Sequence, residues 1–347
     1  MKSEISKRKT EHLKLASKAQ DHGQSSSLLE LGLSYEPCLS VFPTESFSLP
    51  QQIHHKKLDH PLWISSMTGG SSESGKINRT LAKIVKEFGL GMGLGSCRII
   101  IKNPKTIKDF KLKPILKNAP FWANLGICEI AELLHKKQWN SFYNILGELE
   151  VDGLIVHINP TQEYLQPEGS KLTQMPINIL RELLAAKPII PIMVKEVGQG
   201  MGPKSLKALS QMSLQGIELG AMGGTNFSQV ELMRRAPSKL KDDPLINLTK
   251  LGHSAKEMIV FWTMLQKQVQ TKELSSWHII ISGGRGHDVI ADVALFKMLK
   301  KTQHNASIGL GYSILKQAYH SEKLASQWIR HYLKAFYYTY CFTDLMD

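Results

Sequence analysis

The chain has 347 residues, 42% hydrophobic and 21% charged, with a net charge of +13; this is ordinary globular composition, and no apolar run approaches the ~18 residues a membrane-spanning helix requires. Its four cysteines (Cys38, Cys97, Cys128, Cys341) are scattered, which excludes a structural zinc site of the paired-cysteine type and fits a reducing compartment. The cations are spread along the chain without arginine-rich runs, so the charge is read as a solvated basic surface plus a few groups gathered around a polyanionic small molecule, not as a nucleic-acid footprint.

Residues 1–60 read as an extension in front of the main fold. The basic N-terminus leads into a polar segment instead of an apolar core, so no signal peptide is read and a cytoplasmic protein is expected. Thr10 and Glu11 open a predicted short helix running to residue 19, with Arg8, Lys9 and His12 at its start. Such a trio can meet one phosphate group, or it can be a free basic terminus. Residues 22–60, with Pro37, Pro43 and Pro50, read as irregular.

From Pro61 short apolar runs alternate with helical patterns. Strands are predicted over 62–67, 89–95, 119–125, 153–158, 189–195, 216–220, 277–281 and 306–310. Helices are predicted over 74–88, 174–186, 203–213, 254–270 and 288–301. Eight such units predict a closed (β/α)8 TIM barrel over residues 61–320. An amphipathic helix over 322–341, within a C-terminal segment 321–347, caps that barrel or packs on another subunit.

The fourth strand carries the densest chemistry. His157 and Asn159 alternate with Ile158 at its exit, Pro160 ends it, and Gln162 and Glu163 follow before the turn Gln166-Pro167-Glu168-Gly169. Thr68, Ser96, Arg98, Asn124, Lys195 and Thr225 also stand at or just past strand ends, where a barrel builds one rim around one pocket. Gly223-Gly224 and Ser282-Gly283-Gly284 follow the sixth and seventh strands, and glycines there let backbone N–H groups approach a phosphate. Lys195 closes an apolar strand and needs a partner or an anion: either Glu196, although adjacent strand residues face opposite ways, or a flavin ring whose reduced form it would stabilise. Glu163, a carboxylate among amides, suits Mg²⁺, whereas by itself it would be a surface turn residue.

These motifs resemble the flavin-dependent, type 2 isopentenyl diphosphate isomerases. The carriers are Arg8-Lys9-Thr10-Glu11-His12, Ser65-Ser66-Met67-Thr68-Gly69-Gly70, Gly95-Ser96-Cys97-Arg98, Ala123-Asn124-Leu125-Gly126, the block from His157 to Gly169, Val194-Lys195-Glu196-Val197-Gly198 and Gly223-Gly224-Thr225-Asn226. The resemblance implies interconversion of isopentenyl and dimethylallyl diphosphate with FMN, Mg²⁺ and a reductant such as NADPH. It assigns Arg8, Lys9, His12, Ser96, Arg98, His157 and Asn159 to the diphosphate, Gln162 to the isoprene carbons and Glu163 to Mg²⁺. Ser66, Met67, Thr68, Ser96, Asn124, Lys195, Thr225, Gly283 and Gly284 fall to FMN, and Gln162, His157 and Lys195 form the catalytic set. A homo-oligomer, from dimer to octamer, is expected, with no nucleic-acid or membrane partner.

The chain departs from the family pattern at Cys97, over Glu218–Met222 and over the out-of-step segment 282–312, which weakens the expectation for the FMN phosphate. The competing readings are an FMN-dependent 2-hydroxy-acid oxidase, which needs histidine and arginine after the sixth strand; an IMP-dehydrogenase-like enzyme, which needs a nucleophilic cysteine on a late loop; and a non-catalytic barrel with a basic binding surface.

Overall fold

Eight apolar runs form eight parallel strands in the computed structural model of the chain, which describes residues 4–19, 27–67, 71–169, 172–235, 243–268 and 276–346. They are Leu62–Ile64, Gly91–Gly93, Phe121–Gly126, Gly153–Ile158, Ile192–Glu196, Gly216–Glu218, His278–Ile281 and Asn305–Leu310. Each pairs with the next, and Ile308 of the eighth pairs with Leu62 of the first, so the sheet closes. The TIM barrel expected from the strand–helix rhythm is therefore what forms, and helices including Ser72–Glu87, Pro176–Ala185, Ala255–Gln268 and Val289–Lys300 surround it.

Strand alternation sets the barrel's interior. Trp63, Trp122, Ile155, Met193 and Ile280 point inward and form a buried apolar floor. Two residues further along the same strands stand Ser65, Asn124, His157, Lys195 and Ser282, and a period of two returns each of them to the same inward face. A polar layer thus lies directly above an apolar one, at the carboxyl end of the barrel.

The floor is closed from below by a hairpin, Gln51–Ile53 with Lys56–Leu58, whose Ile53 and Leu58 join the two tryptophans. This corrects the irregular reading of 22–60, which also contains the helix Leu28–Leu31 and the strand Leu33–Tyr35. That strand pairs with Thr343–Leu345, so the N-terminal segment clasps the C-terminal end. Three-residue strands carry too little alternation to be read locally. The C-terminal helix Glu322–Phe342 lies against the barrel's outer helices.

The N-terminal helix also differs from expectation, running from Glu4 to Ala16. Thr10 does not cap it: its hydroxyl bonds back to the Ser6 carbonyl at 2.9 Å, within the helix.

His278 ties the hairpin to the seventh strand and is fully buried. Its Nδ1–H donates to the Gln52 carbonyl at 2.9 Å and its Nε2 accepts from the Ser307 hydroxyl at 2.9 Å, so the neutral ring is satisfied on both sides. Burial, opposed by the Gln52 contact and aided by Lys300, lowers its pKa from 6.5 to about 4. Between those values the unfolded chain binds a proton that the folded chain refuses, so stability falls on acidification through that window and is unaffected by this group above it. His278 should contribute a loss of about 2 kcal/mol between pH 7 and pH 5. Urea unfolding at the two values measures it, and His278→Gln should flatten the slope by that amount.

Candidate active site

The polar layer opens into a cavity of about 490 Å³ at the carboxyl ends of the strands. Ser66, Met67, Ser96, Arg98, Asn124, His157, Asn159, Gln162, Glu163, Lys195, Thr225, Gly283 and Gly284 all line it. Residues spread over more than 200 positions of sequence are thereby brought to one space. Thr68 lies outside the described residues. Arg8, Lys9 and His12 are not brought there: they sit on the helix Glu4–Ala16, and none lines the cavity. Leu13 and Leu15 of that helix are 81% and 55% exposed, so these two side chains do not hold it against the rim.

After the fourth strand the chain turns straight into a short helix, Pro160–Leu165. Proline is favoured at that first helical position because its φ is preset and its missing N–H would be unpaired anyway. Helical spacing then puts Gln162 and Glu163 beside Asn159, whose Nδ2 donates to Gln162 Oε1 at 3.0 Å and to Glu163 Oε1 at 3.2 Å. The Gln162 amide donates in turn to Glu231 Oε1 at 3.3 Å. Glu231, on the helix Phe227–Arg235, also pairs with Arg234, which reaches Glu168 at 2.5 Å. Gln162 is therefore oriented at both ends of its amide, and the turn that follows is pinned.

His157 Nδ1 and Asn124 Oδ1 are 2.6 Å apart. Burial first, and then the neighbouring cations Lys195 and Arg98, lower the His157 pKa to about 3, so the ring is neutral at ordinary pH. Nδ1–H then donates to Asn124, leaving Nε2 as an acceptor. Arg98 is held by Glu129 at 3.2 Å.

Lys195 and Glu196 divide as strand geometry requires. The Glu196 carboxylate turns away from the cavity and accepts the backbone N–H groups of Gly198, Gln199 and Gly200 at 2.7, 2.6 and 2.8 Å. The Lys195 ammonium donates to the Glu196 carbonyl at 2.7 Å and lies 3.4 Å from Glu218 Oε1. His157, Lys195 and Glu218 are register partners on three adjacent strands, so they form one row.

At the far side, the loops after the sixth and seventh strands touch through backbone. A Cβ at Gly224 would come within 2.5 Å of the Gly284 nitrogen, and one at Gly284 within 2.1 Å of the Gly223 carbonyl oxygen. Gly283 and Gly284 also have φ of 99° and 70°, values that side-chain-bearing residues rarely adopt. Arg285 lines the cavity here, donating through Nε to the Gly283 carbonyl at 2.9 Å and through Nη1 to Asp292 at 3.0 Å. The buried Asp292 carboxylate also accepts the Gly286 N–H and the Tyr332 hydroxyl, each at 2.7 Å. The out-of-step segment thus supplies its own cation to the corner.

Several buried polar atoms around the cavity have no hydrogen-bond partner among the described residues: Ser65 Oγ, Ser66 Oγ, Ser313 Oγ and both Glu218 carboxylate oxygens. Unpaired groups of this kind are costly unless a ligand or water satisfies them. Among the described residues no group of three or more His, Cys, Asp or Glu side chains is placed to cage a metal. A Mg²⁺ at Glu163 would have to take most of its ligands from water and from oxygens of a bound ligand, which the cation's preference for oxygen and retained water allows. Cys97 is fully buried, and burial pushes its thiol pKa up to about 12, so it is not a nucleophile.

Glu218, Arg285, Glu231 and Ser313 were not singled out from sequence as site residues. Glu218 carried a usable signal, a charge inside an apolar strand, which is the signal that marks Lys195.

No protein-family model matches the chain. It is 32% identical to an isopentenyl-diphosphate delta-isomerase of Metallosphaera sedula over 230 residues, 65% of this chain and 62% of the relative. It is 31% identical to one of Rickettsia akari over 278 residues, 79% of this chain and 75% of that relative. This chain belongs to the isopentenyl-diphosphate delta-isomerase family. With other curated members it spans less: 62% of the Metallosphaera protein and 52% of a Rickettsia peacockii one.

Solved structures with the same architecture include a flavocytochrome b2 variant with sulfite bound, at 14% identity and a TM-score of 0.57, covering 90% of this chain and 76% of that one. A mandelate oxidase variant with a monooxide FMN adduct aligns at 9% identity and a TM-score of 0.53 over 99% of both chains. At these identities they establish for this family member the barrel alone. No helix among the described residues is long and apolar enough to cross a membrane.

Proposed function

We propose that this chain is an isopentenyl-diphosphate isomerase of the flavin-dependent type, interconverting isopentenyl and dimethylallyl diphosphate by proton transfer. The observation that carries this reading is the opening of the row His157–Lys195–Glu218, the Asn159–Gln162–Glu163 cluster and the double-glycine corner onto one cavity. An anionic tail, a divalent cation and a phosphorylated cofactor would each have a matching group there, in a space large enough for a small ligand.

FMN would be held by Ser66, Met67, Thr68, Ser96, Asn124, Lys195, Thr225, Gly283 and Gly284. The unpaired serine hydroxyls and the close-packed glycine corner support that fit. Reduced by NADPH, it would supply a proton-exchanging centre beside the substrate. Arg98, His157, Asn159 and Ser96 would bind the diphosphate, with Glu163 reaching it through Mg²⁺. His157 is positioned by Asn124 and Gln162 by Asn159 and Glu231, so both present fixed atoms to the substrate. Arg8, Lys9 and His12 would contribute only if the N-terminal helix closes over the rim or comes from another copy in a homo-oligomer. The cellular location consistent with this chemistry is the cytoplasm.

The oxidase alternative fares worse. Where it needs histidine and arginine after the sixth strand, this chain has Asn226, whose side chain bonds to the Thr249 carbonyl and the Gln229 N–H.

The test is anaerobic incubation with FMN, NADPH, Mg²⁺ and isopentenyl diphosphate, followed by product analysis. Dimethylallyl diphosphate should appear only when all four are present. Its absence under those conditions would refute the reading.

A further inference from the structure

Glu218 is the anomaly of the barrel's interior. It is fully buried, it lines the cavity, and neither carboxylate oxygen has a hydrogen-bond partner among the described residues. Its nearest cation, the Lys195 ammonium, stands 3.4 Å from Oε1 and spends a 2.7 Å hydrogen bond on the Glu196 carbonyl. An ion pair in that geometry neutralises charge but leaves acceptor sites open. A buried carboxylate accepts several donors when satisfied, and each missing one is costly.

We propose that Glu218 is the acceptor for the hydroxyl groups on the sugar-alcohol chain of the bound flavin nucleotide. This rests on the flavin reading given above and adds a residue to it. Lys195, on the fifth strand, is assigned to the ring. Gly283 and Gly284, after the seventh, are assigned to the phosphate. The chain joining ring to phosphate must cross the strand between them, and Glu218 is the residue that strand presents, in register with Lys195. Gly220, two residues on, adds no side chain that would block the passage, and its N–H is already taken by Ser282 Oγ at 3.0 Å. The donors Glu218 lacks are the kind a polyol carries, and the Lys195 ammonium then serves as counter-charge to the carboxylate.

The test compares two probes on the full chain: FMN, and a flavin phosphate whose chain hydroxyls are replaced by hydrogen. Flavin fluorescence titration gives their dissociation constants. Glu218→Leu should weaken FMN about 10- to 100-fold, as expected for losing hydrogen bonds to a charged acceptor. It should change the dehydroxylated probe by less than about threefold, within the scatter expected where no contact is removed. Glu218→Gln keeps one acceptor oxygen and nearly the same shape, so it folds even if leucine strains the layer. It should lose about tenfold for FMN alone. Equal losses for both probes, or no loss for either, would overturn the proposal while leaving the flavin reading intact. A wild-type chain that binds neither probe would overturn the flavin reading and the proposal together.

Discussion

Glu163→Gln is expected to lower Mg²⁺-dependent turnover by about 1000-fold, because a metal ion that neutralises developing charge supplies several kcal/mol to the transition state. The substitution is nearly isosteric. Asn159 Nδ2, 3.2 Å from Oε1, can keep its contact with an amide oxygen, so the short helix Pro160–Leu165 should survive. What is lost is the buried carboxylate's charge, and an oxygen-seeking cation assigned to Glu163 loses its charged protein ligand with it. Flavin should remain bound, since Lys195, Thr225 and the glycine corner are untouched. The measurement is turnover against Mg²⁺ concentration, with flavin retention read from absorbance on the same sample. Unchanged turnover would be incompatible with a metal role for Glu163, and loss of flavin along with activity would point to general damage.

The features legible in the sequence share one physical basis. A parallel strand buried on both faces is a nearly continuous apolar run, so the eight barrel strands announce themselves. A polar side chain at the exit of such a run is expensive unless it has a task, which is why Asn124, His157, Lys195 and Thr225 stood out and why all four line the cavity. What stayed hidden depends on contacts distant in sequence. Leu33–Tyr35 is a strand only because Thr343–Leu345 pairs with it. The hairpin at 51–58 is held by Asn305, Ala306 and His278 at the barrel's base. Glu231 matters through Gln162, far away in the chain, and no local pattern marks that. Arg285 was obscured by the irregular spacing after the seventh strand, although its side chain folds back on its own loop. The basic trio at the N-terminus is a different case: residue type suggests phosphate, while Arg8, Lys9 and His12 lie outside the cavity lining of the single chain, so their part in binding rests on the proposed closure of the helix or on another copy.

Lys195→Met should cost the apo protein about 3–5 kcal/mol, the range for removing one partner of a buried ion pair. Glu218 is fully buried, and without the ammonium at 3.4 Å its charge has neither a counter-ion nor a hydrogen bond among the described residues. The double variant Lys195→Met/Glu218→Leu removes both charges and fills the same space with apolar atoms, a replacement that is often neutral or stabilising. It should therefore return to within about 1 kcal/mol of wild type, and the difference between double and summed single effects is the coupling of the pair. Urea unfolding midpoints at pH 7 measure this directly. Lys195 is also the second cause, after burial, of the depressed His157 pKa, so in both variants that pKa should rise from about 3, as read by NMR titration of the ring. Flavin binding should not follow stability. The double variant is expected to be as stable as wild type yet to hold FMN poorly, because the groups assigned to the ring and its hydroxyl chain are both gone. Wild-type FMN affinity in that variant would show that this row of charges serves the fold and not the ligand, whereas recovery of stability without recovery of binding separates the two roles within one pair of side chains.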